Sequence, residues 1–490
     1  MYIVMIASEL APVIHIGGLG DVVAGLTREL EIRGNNVEII LPKYDHMRYD
    51  HIWGLTVDYS DLWVPWYDGV IHCTVYFGFV NGRKCFFIEP HSHDCFFHRP
   101  GAYGYADDVM RYAFFSKAAL EFMLRANKRP EVIHCHDWQT ALVPVLLFEI
   151  YKYRGMENQR VCLTIHNFGH QGRSNAEVLW ATGLQRPEYY FHPDRMQDNL
   201  DPGALNLLKA GIVYSNFVAT VSPQHAWEAR NTAHGLGLGH TLWIHREKFG
   251  GILNGVDYDL WNAEIDPFIA RRYTADSVAL KYENKRALRE RFWLRDDYKP
   301  IVAYVGRLDR QKGVHLIRHA IFYSLWNGAQ FVLLGPSPDP SINGHFWHLK
   351  HYLNDSPDCH MELGFNAELA HLVYAGADML VVPSNYEPCG LVQMIALKYG
   401  TVPIVRAVGG LLDSVRDRDY SEYPYEERNG YVFGDADYSG IESAMRRAFG
   451  LWFAYPQEFR RLMINGMRCD YSWNHPVQHY LNIYQHIRHK

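Results

Sequence analysis

The sequence predicts an α/β protein built from two doubly wound domains. Its 490 residues exceed what one ordinary hydrophobic core holds, so two domains are expected. The first apolar run, residues 2–7, leads through a glycine-rich loop into a helix and a second strand. A second such run, residues 301–305, starts the same pattern again. This alternation of strands and helices predicts two parallel sheets.

The composition excludes several classes of protein. With 48% hydrophobic and 21% charged residues, the chain is typical of a globular enzyme, and its net charge of −6 gives no reason to expect nucleic-acid or membrane partners. No apolar run approaches membrane-spanning length, and no signal peptide is expected before the first strand. The eight cysteines form no CxxC pair, which favours reduced thiols. We therefore expect a cytoplasmic protein.

The run His134-Cys135-His136-Asp137 superficially resembles a metal site. Successive residues on a strand point to opposite faces, so these four side chains cannot all ligate one ion, and no metal is predicted. No lysine stands out as an anchor for pyridoxal phosphate, and no cofactor is predicted.

The loop before the first helix contains Gly17-Gly18-Leu19-Gly20. We expect residues 9–21 to form this loop, residues 22–33 an amphipathic helix and residues 37–41 the second strand. The glycine spacing differs from the dinucleotide fingerprint G-x-G-x-x-G, which disfavours a dehydrogenase. Small residues at a helix N-terminus still let a ligand phosphate approach the backbone.

Residues 377–415 predict a strand, a tight loop, a helix starting at Leu391, a second strand and a Gly409-Gly410 loop. Ligands of open α/β sheets bind at the carboxyl ends of strands, where the tight loop places Glu387. A lone loop glutamate is usually an ordinary surface carboxylate. The adjacent Cys389-Gly390 and the second glycine loop favour a binding site instead.

Polar residues also follow three other predicted strands. Asp137 ends one strand and His166-Asn167 end the next, although an ordinary helix N-cap and a structural histidine remain open alternatives. In the second half of the chain, Arg307 and Lys312 share one loop before a helix. Fixed cations there suit the negative charge that develops on a leaving diphosphate, and a solvated basic loop is the alternative.

Several motifs together resemble one known family. E-P-C-G-L at 387–391, Y-G-T-x-P-I-V-R at 399–406 and G-G-L at 409–411 are similar to the bacterial glycogen synthases and plant starch synthases, which are retaining glucosyltransferases of GT-B architecture. The motifs around Arg307, Asp137 and His166 match as well. The resemblance implies two domains facing a cleft: an acceptor domain of residues 1–247 with a returning helix at 470–490, and a donor domain of residues 248–469.

The resemblance also implies roles for particular residues. The catalytic residues that it implies for this chain are Arg307, Lys312, Glu387 and His166. Its donor-binding residues are His15, Gly17, Gly18, Asp21, Asn254, Gly335, Cys389, Gly390, Leu391, Val408, Gly409 and Gly410. Its acceptor-binding residues are Tyr103, Asp137, Trp138, Asn167 and Gln171.

Three residues depart from the family pattern. His15 stands where members typically have a lysine that helps to bind the donor diphosphate. Imidazole is shorter and largely neutral near pH 7, so this contact is weakened or made pH-dependent. His170 replaces a frequent tyrosine, and Val408 replaces a frequent threonine.

The implied reaction transfers glucose from ADP-glucose to the non-reducing end of an α-1,4-glucan, with retention at C1. Three alternatives remain. A related transferase would use UDP-glucose or another acceptor, and a phosphorylase would need pyridoxal phosphate. A catalytically impaired glucan-binding or priming partner would account for the three departures.

Overall fold

The computed structural model describes residues 1–353 and 355–490. The chain forms two compact units, one of residues 1–255 with 473–490 and one of residues 256–472. Each unit is an α/β structure with a largely parallel sheet, which confirms the predicted fold class. Residues 248–255 lie in the first unit because a short strand there joins its sheet, and residues 470–472 lie in the second because Ser472 pairs with Val256.

The first unit contains most of the chain's strands and its final helix. Its elements are β1 (Tyr2–Ile6), α1 (Gly18–Ile32), β2 (Asn36–Pro42), β3 (Ile52–Trp66), β4 (Gly69–Val80), β5 (Arg83–Pro90), α2 (Asp108–Arg125), β6 (Val132–His136), α3 (Leu142–Glu149), β7 (Arg160–Ile165), β8 (Arg173–Ser174), α4 (Glu177–Thr182), α5 (Pro187–Tyr190), β9 (Leu205–Asn206), α6 (Leu207–Tyr214), β10 (Phe217–Thr220), α7 (Pro223–Asn231), α8 (Gly239–Ile244) and β11 (Phe249–Gly251). The final helix begins at Asn474.

The main sheet of this unit has, within the described residues, the strand order β11-β10-β7-β6-β1-β2-β5-β4-β3. Pairing is parallel from β11 to β5, and β4 and β3 continue the sheet as an antiparallel hairpin. Strand β1 lies between β2 and β6, so the chain winds outward in both directions from it. Ligands bind at such a switch point, and the loops after β1 and β6 meet there.

Helix α1 begins at Gly18, four residues earlier than predicted. The carboxylate of Glu9 explains the difference, because its Oε2 accepts the backbone N–H groups of Ile16 (2.9 Å) and Gly17 (3.0 Å). The loop is therefore closed before Gly18, and residues 18–21 form the first helical turn instead of a loop.

The second unit contains the remaining elements up to residue 472. They are α9 (Lys281–Phe292), β12 (Ile301–Val305), α10 (Val314–Trp326), β13 (Gln330–Leu334), α11 (Pro340–Leu353), β14 (Cys359–Glu362), α12 (Ala367–Gly376), β15 (Met379–Val382), α13 (Val392–Lys398), β16 (Val402–Arg406), α14 (Gly410–Ser414), β17 (Tyr431–Phe433), α15 (Tyr438–Ala454) and α16 (Pro456–Arg468). The last helix of the chain, α17 (Asn474–Ile487), follows in the first unit.

The sheet of the second unit is parallel throughout its described strands, in the order β14-β13-β12-β15-β16-β17. Its switch point lies between β12 and β15, with Val302 opposite Met379 and Ala303 opposite Leu380. The loops that follow these two strands carry Lys312 and Glu387. This pairing therefore brings together two loops that are more than 70 residues apart in sequence.

Helix α17 packs into the core of the first unit. The Tyr484 hydroxyl lies 2.6 Å from Nδ1 of His134, and the Tyr480 hydroxyl lies 3.2 Å from Oγ1 of Thr164. Trp473 precedes the helix and is 4% exposed, so it belongs to the same buried cluster. In the part of the chain that the structure describes, no helix combines the length and apolar character needed to cross a membrane.

We expect Gly25→Ala to destabilise the first unit. A Cβ at Gly25 in α1 would lie 2.0 Å from Nε1 of the Trp473 indole. Such overpacking costs about 1–3 kcal/mol, more than the helix propensity that alanine adds. Differential scanning calorimetry should therefore show a lower unfolding temperature.

The matched control is Gly450→Ala in α15, where an added Cβ has no neighbour within 4 Å. This control should retain or raise the unfolding temperature, because alanine is the better helix former. An equal response of the two variants would contradict close packing between Gly25 and Trp473.

Candidate active site

A partly buried ion pair connects the two loops at the switch point of the second unit. Nζ of Lys312 lies 2.6 Å from Oε2 of Glu387, and the Ser384 hydroxyl donates to the same oxygen at 2.8 Å. Glu387 is only 5% exposed, so its charge requires these partners. Both hydrogen bonds go to Oε2, and no hydrogen bond or ion pair to Oε1 is found among the described residues. The carboxylate is thus fixed in orientation with one oxygen left over.

The backbone of the cation-bearing loop is held closely against the glutamate-bearing loop. The N–H of Asn385 donates to the Gln311 carbonyl at 2.8 Å. Gly313 adopts a φ of +71°, and a Cβ there would lie 2.3 Å from the Pro383 carbonyl oxygen. Only glycine fits both requirements, so this residue sets the separation of the two loops.

Arg307 sits on the same loop with its side chain 55% exposed. Its nearest carboxylate is Asp309, at 3.7 Å, while Oδ1 of Asp309 caps the N–H of Lys312 at 3.1 Å. The Tyr304 hydroxyl fixes the backbone by donating to the Arg307 carbonyl at 2.6 Å. The guanidinium is therefore held at its base and open to solvent at its tip, as an anion-binding group requires.

The predicted Gly-Gly loop packs directly on the Glu387 loop. A Cβ at Gly409 would lie 2.0 Å from the Glu387 carbonyl oxygen, and one at Gly410 would lie 2.3 Å from the Cys389 carbonyl oxygen. The Gly410 N–H lies 3.2 Å from both the Glu387 and the Pro388 carbonyls. This N–H is therefore already used within the protein.

The other predicted donor residues of this unit have identifiable packing roles. A Cβ at Gly335 would lie 1.8 Å from the Gly306 carbonyl oxygen, so the glycine permits two loops to touch. The side-chain amide of Gln393 donates to the carbonyls of Cys389 (3.2 Å) and Gly390 (2.7 Å). Leu391 immediately precedes α13. Val408 is buried, so its apolar side chain is accommodated by the core.

In the first unit, the loop after β1 is organised by Glu9, which the sequence analysis missed. Its Oε1 accepts a hydrogen bond from the Tyr103 hydroxyl at 2.8 Å, and its Oε2 binds the glycine loop. The predicted acceptor residue Tyr103 thus supports this loop, and the Gly17 N–H is already engaged. The only available signal was the position of Glu9 just beyond the first strand, where ligand-binding residues gather.

His15 and Asp21, both predicted donor residues, form an ion pair on this loop and the first turn of α1. Nε2 of His15 lies 2.9 Å from Oδ2 of Asp21, and both side chains are about two-fifths exposed (39% and 37%). The hydrogen bond to Asp21 raises the pKa of His15, and the charge of Glu9 acts in the same direction. The imidazole therefore retains more positive charge than a free histidine, in partial compensation for the missing lysine.

Asp137 has a strained backbone at the carboxyl end of β6. Its φ is +57° with ψ −175°, a conformation that L residues rarely adopt. Its Oδ1 accepts the backbone N–H of His166 at 2.6 Å, so it fixes the end of the neighbouring strand β7. Burial raises the pKa of Asp137 to about 7. The residue is therefore a positioning group whose charge is sensitive to pH.

An open cavity of about 560 Å³ lies beside these residues in the first unit. It is lined by Trp138, Gly169, His170, Gln171, Gly172, Arg173, Leu200 and Leu236. Gly172 has a φ of +61°, and a Cβ there would lie 2.4 Å from the Trp138 indole, so the indole lies against the backbone. An aromatic wall with an arginine and a histidine nearby suits a sugar, which offers both apolar faces and hydroxyl groups.

Two predicted acceptor residues beside this cavity have structural partners. The Gln171 amide donates to the carbonyls of Phe168 (2.9 Å) and Leu236 (3.0 Å), and its oxygen accepts from Asn206 at 2.6 Å. Oδ1 of Asn167 accepts the Gly169 N–H at 2.8 Å. Gln171 therefore shapes the wall of the cavity, and Asn167 holds the turn that leads to Gly169.

His166 follows β7, as predicted, and is half-buried. Its Nε2 lies 3.1 Å from Nδ1 of His136, and burial lowers the pKa of His166 to about 3. Asn254 follows β11 and carries a buried Oδ1 that has no hydrogen-bond partner within the described chain. Among the described residues, no group of three or more His, Cys, Asp or Glu is arranged to hold a metal ion.

The predicted site residues thus lie beyond the carboxyl ends of the strands in each unit. Those of the first unit follow β1, β6, β7 and β11, with Gly18 and Asp21 in the first turn of α1, apart from Tyr103, which precedes α2. Those of the second unit follow β12, β13, β15 and β16, with Gly410 at the start of α14. Several of them hold loops together, whereas the Arg307 side chain is 55% exposed and His166 is half-buried.

Comparison with known proteins identifies relatives along the whole chain. The family profile described as starch synthase catalytic domain matches residues 2–243, and that of glycosyl transferases group 1 matches residues 286–459. The chain is 66% identical to glycogen synthase 1 of Synechococcus sp. (strain JA-3-3Ab) over 491 residues, covering 100% of both. It is 63% identical to glycogen synthase 2 of Methylococcus capsulatus over 485 residues, covering 99% of this chain and 100% of the relative.

Two solved structures are also similar. The catalytic domain of starch synthase IV from Arabidopsis thaliana, bound to ADP and acarbose, has a TM-score of 0.96 and 42% identity, with 100% of this chain and 99% of that chain covered. A sucrose-phosphate synthase from Thermosynechococcus elongatus has a TM-score of 0.60 at 20% identity and shares the fold.

We expect Asp137→Asn to stabilise the protein more at alkaline than at acidic pH. The raised pKa of Asp137 means that the folded state binds its proton more tightly than the unfolded state. The stability that this proton contributes is complete below the unfolded pKa and is lost as pH rises through about 7. Asparagine stays uncharged throughout and retains an oxygen for the His166 N–H.

Unfolding temperatures of both proteins at about pH 5.5 and about pH 8.5 test this expectation. The unfolding temperature of the variant should rise relative to that of the wild type as pH increases. Asp68→Asn, in the exposed turn between β3 and β4, controls for the loss of one negative charge. A difference for Asp137→Asn that is the same at both pH values would contradict the buried-carboxyl assignment.

Proposed function

Because this chain belongs to the glycogen and starch synthase family and is a glucosyltransferase, we propose that it transfers glucose from ADP-glucose to the non-reducing 4-hydroxyl of an α-1,4-glucan, with retention at C1. The observation that carries the proposal is the Lys312–Glu387 pair, which fixes a cation and a carboxylate at a switch point beside the exposed Arg307. The ADP bound in the related Arabidopsis structure supports the choice of nucleotide.

In the proposed mechanism, Arg307 and Lys312 stabilise the departing diphosphate. An ammonium group has three donors, and Glu387 uses one of them, so Lys312 retains donors for phosphate oxygens. The Arg307 guanidinium supplies a second cation in a planar fork that matches phosphate geometry. Their positions are set by loop contacts before the reaction begins, so little reorganisation is needed as negative charge develops.

Glu387 has a different task in this mechanism. Its Oε2 is shared by Lys312 and Ser384, which leaves Oε1 to accept a hydroxyl of the transferred glucose. A carboxylate held by an ammonium and a hydroxyl is a weak nucleophile, so Glu387 orients the sugar and forms no covalent bond to it. Retention then arises from attack of the acceptor hydroxyl on the face that the diphosphate leaves, with the diphosphate assisting its deprotonation.

The first unit is proposed to bind the glucan. Its cavity offers the Trp138 indole for contact with a sugar face and the Arg173 side chain, 47% exposed, for hydroxyl groups. Arg173 is held in place by Asp198 at 2.9 Å. His166 is proposed to face the transferred glucose. The eight free cysteines support a cytoplasmic location, where thiols stay reduced.

Release of nucleoside diphosphate from ADP-glucose and from UDP-glucose, each with and without glycogen, tests this function. We expect strong glycogen-dependent release from ADP-glucose and much weaker release from UDP-glucose. The His15→Lys variant is measured alongside, because it restores the residue that family members typically carry. It should lower the KM for ADP-glucose with little change in kcat, since the His15–Asp21 pair already supplies partial charge.

Other outcomes would identify the alternatives. Preference for UDP-glucose would mean a related transferase with another donor. If the wild type released no nucleoside diphosphate and His15→Lys did, the donor site would be disabled at one residue. If neither protein released nucleoside diphosphate, the chain would be a glucan-binding or priming partner without catalysis of its own.

We expect Arg307→Gln and Lys312→Gln each to lower kcat by about a hundredfold, equivalent to about 3 kcal/mol, because both cations act on charge that develops in the transition state. Arg310→Gln is the matched control, as this exposed cation occupies the same loop. It should leave kcat near the wild-type value. A raised KM with unchanged kcat in Arg307→Gln would restrict Arg307 to ground-state binding.

A further inference from the structure

Two histidines of β6, His134 and His136, lie on the same face of the strand because they are two residues apart. Both are fully buried, and their rings stack with centroids 4.3 Å apart. His134 has partners for both nitrogens: the Tyr484 hydroxyl at 2.6 Å and the Thr164 hydroxyl at 2.7 Å. It is therefore fully satisfied by the core. His136, in contrast, has a hydrogen-bond partner within the described residues for only one of its ring nitrogens.

His136 makes one ring hydrogen bond, to His166. Its Nδ1 lies 3.1 Å from Nε2 of His166, and the ring centroids are 5.4 Å apart with an interplanar angle of 30°. The centroid separation exceeds the nitrogen separation by about two ring radii. The two nitrogens therefore point at each other along the line between the rings, which is the geometry of a well-aligned hydrogen bond.

The second nitrogen of His136 determines which ring donates. Nε2 of His136 is buried and has no hydrogen-bond partner in the described part of the chain. Burial lowers the pKa of both histidines, so both rings are neutral, each carries one N–H proton, and one of these protons lies in the hydrogen bond between them. If His166 donated, the proton of His136 would sit on this buried Nε2 with no acceptor. Buried N–H groups without a partner are rare, so the donor is Nδ1–H of His136.

We propose that His136 is a positioning residue that holds His166 as the Nδ1–H tautomer, so that His166 presents a neutral N–H donor to a hydroxyl of the sugar substrate. The inference rests on the proposed function in one respect, the placement of His166 against the transferred glucose. His166 is half-buried, and within the described residues its ring makes a hydrogen bond at Nε2 only, which leaves Nδ1 without a protein partner. That nitrogen is thus available to a ligand.

Two elements fix His166 together. Its ring is oriented by His136, and its backbone N–H is bound by Asp137 at 2.6 Å in the strained conformation described above. A donor held at ring and backbone is already oriented when substrate binds. Because the imidazole stays neutral, it donates a hydrogen bond without adding charge near the sugar.

The first test measures the tautomer directly. Long-range ¹H–¹⁵N NMR on histidine-labelled, full-length protein distinguishes a protonated ring nitrogen from an unprotonated one, and the signal missing from His166→Gln identifies His166. We expect the proton on Nδ1 of His166, with Nε2 unprotonated. A proton on Nε2 of His166 would overturn the inference. This measurement needs no substrate and no variant of His136.

The second test uses the matched variants His136→Asn and His136→Leu, which have nearly the same shape. The asparagine amide keeps an N–H donor close to the Nδ1 position, whereas leucine has none. Both are assayed for kcat/KM with ADP-glucose and with its 2-, 3-, 4- and 6-deoxy analogues. In the wild type and His136→Asn, removal of one particular hydroxyl should cost on the order of tenfold. In His136→Leu, that same removal should cost almost nothing further.

A merely structural role would lower activity with every donor by the same factor in His136→Leu, and that result would overturn the inference. Unfolding temperatures of both variants separate loss of fold from loss of orientation. Inactivity of the wild type with every donor would contradict the proposed function, while the tautomer signal would still test the histidine assignment. The two failures are therefore distinguishable.

Discussion

Parallel pairing at the centre of each sheet is the constraint on which the candidate site residues of each unit depend. When β12 lies beside β15, the loops that follow them emerge at one edge, and the same holds for β1 and β6. Side chains from distant parts of the sequence then meet without any long-range adjustment. Lys312 reaches Glu387 in this way, and Asp137 after β6 reaches the His166 N–H after the adjacent β7. Backbone hydrogen bonds of the sheets hold these positions.

Close backbone contact makes the loops rigid. At Gly313, Gly335, Gly409 and Gly410, an added Cβ would come within about 2.3 Å of a carbonyl oxygen of the facing loop. Glycine at these positions therefore serves packing between loops, and the N–H of Gly410 is consumed by the protein. What remains for a substrate is side-chain chemistry: the exposed guanidinium of Arg307, the ammonium of Lys312 and one carboxylate oxygen of Glu387.

Most buried polar groups of this loop and strand cluster in the first unit are likewise hydrogen-bonded within the protein. Glu9 satisfies two backbone N–H groups and a tyrosine hydroxyl, and His134 is bound by two hydroxyls. Within the described residues, Nε2 of His136 has no hydrogen-bond partner, and the one ring hydrogen bond of His136 goes to His166. Burial of polar atoms costs free energy unless they are bonded. His136, whose Nε2 is buried without a partner, is the residue proposed to orient His166 towards a substrate.

The sequence by itself determined the alternation of strands and helices and the loops that carry Arg307, Lys312, Glu387 and His166, because the apolar period and the positions of glycines are local properties. The departures at His15 and Val408 were also visible in the sequence, since they lie within its motifs. Only the tertiary structure decided how those groups are used. Tyr103 supports Glu9, Gln171 ties two loops, and His136 orients His166, since each partner comes from an element distant in sequence. Hydrogen-bond partners across a sheet leave no local pattern, which is why Glu9 and His136 emerged only from the fold.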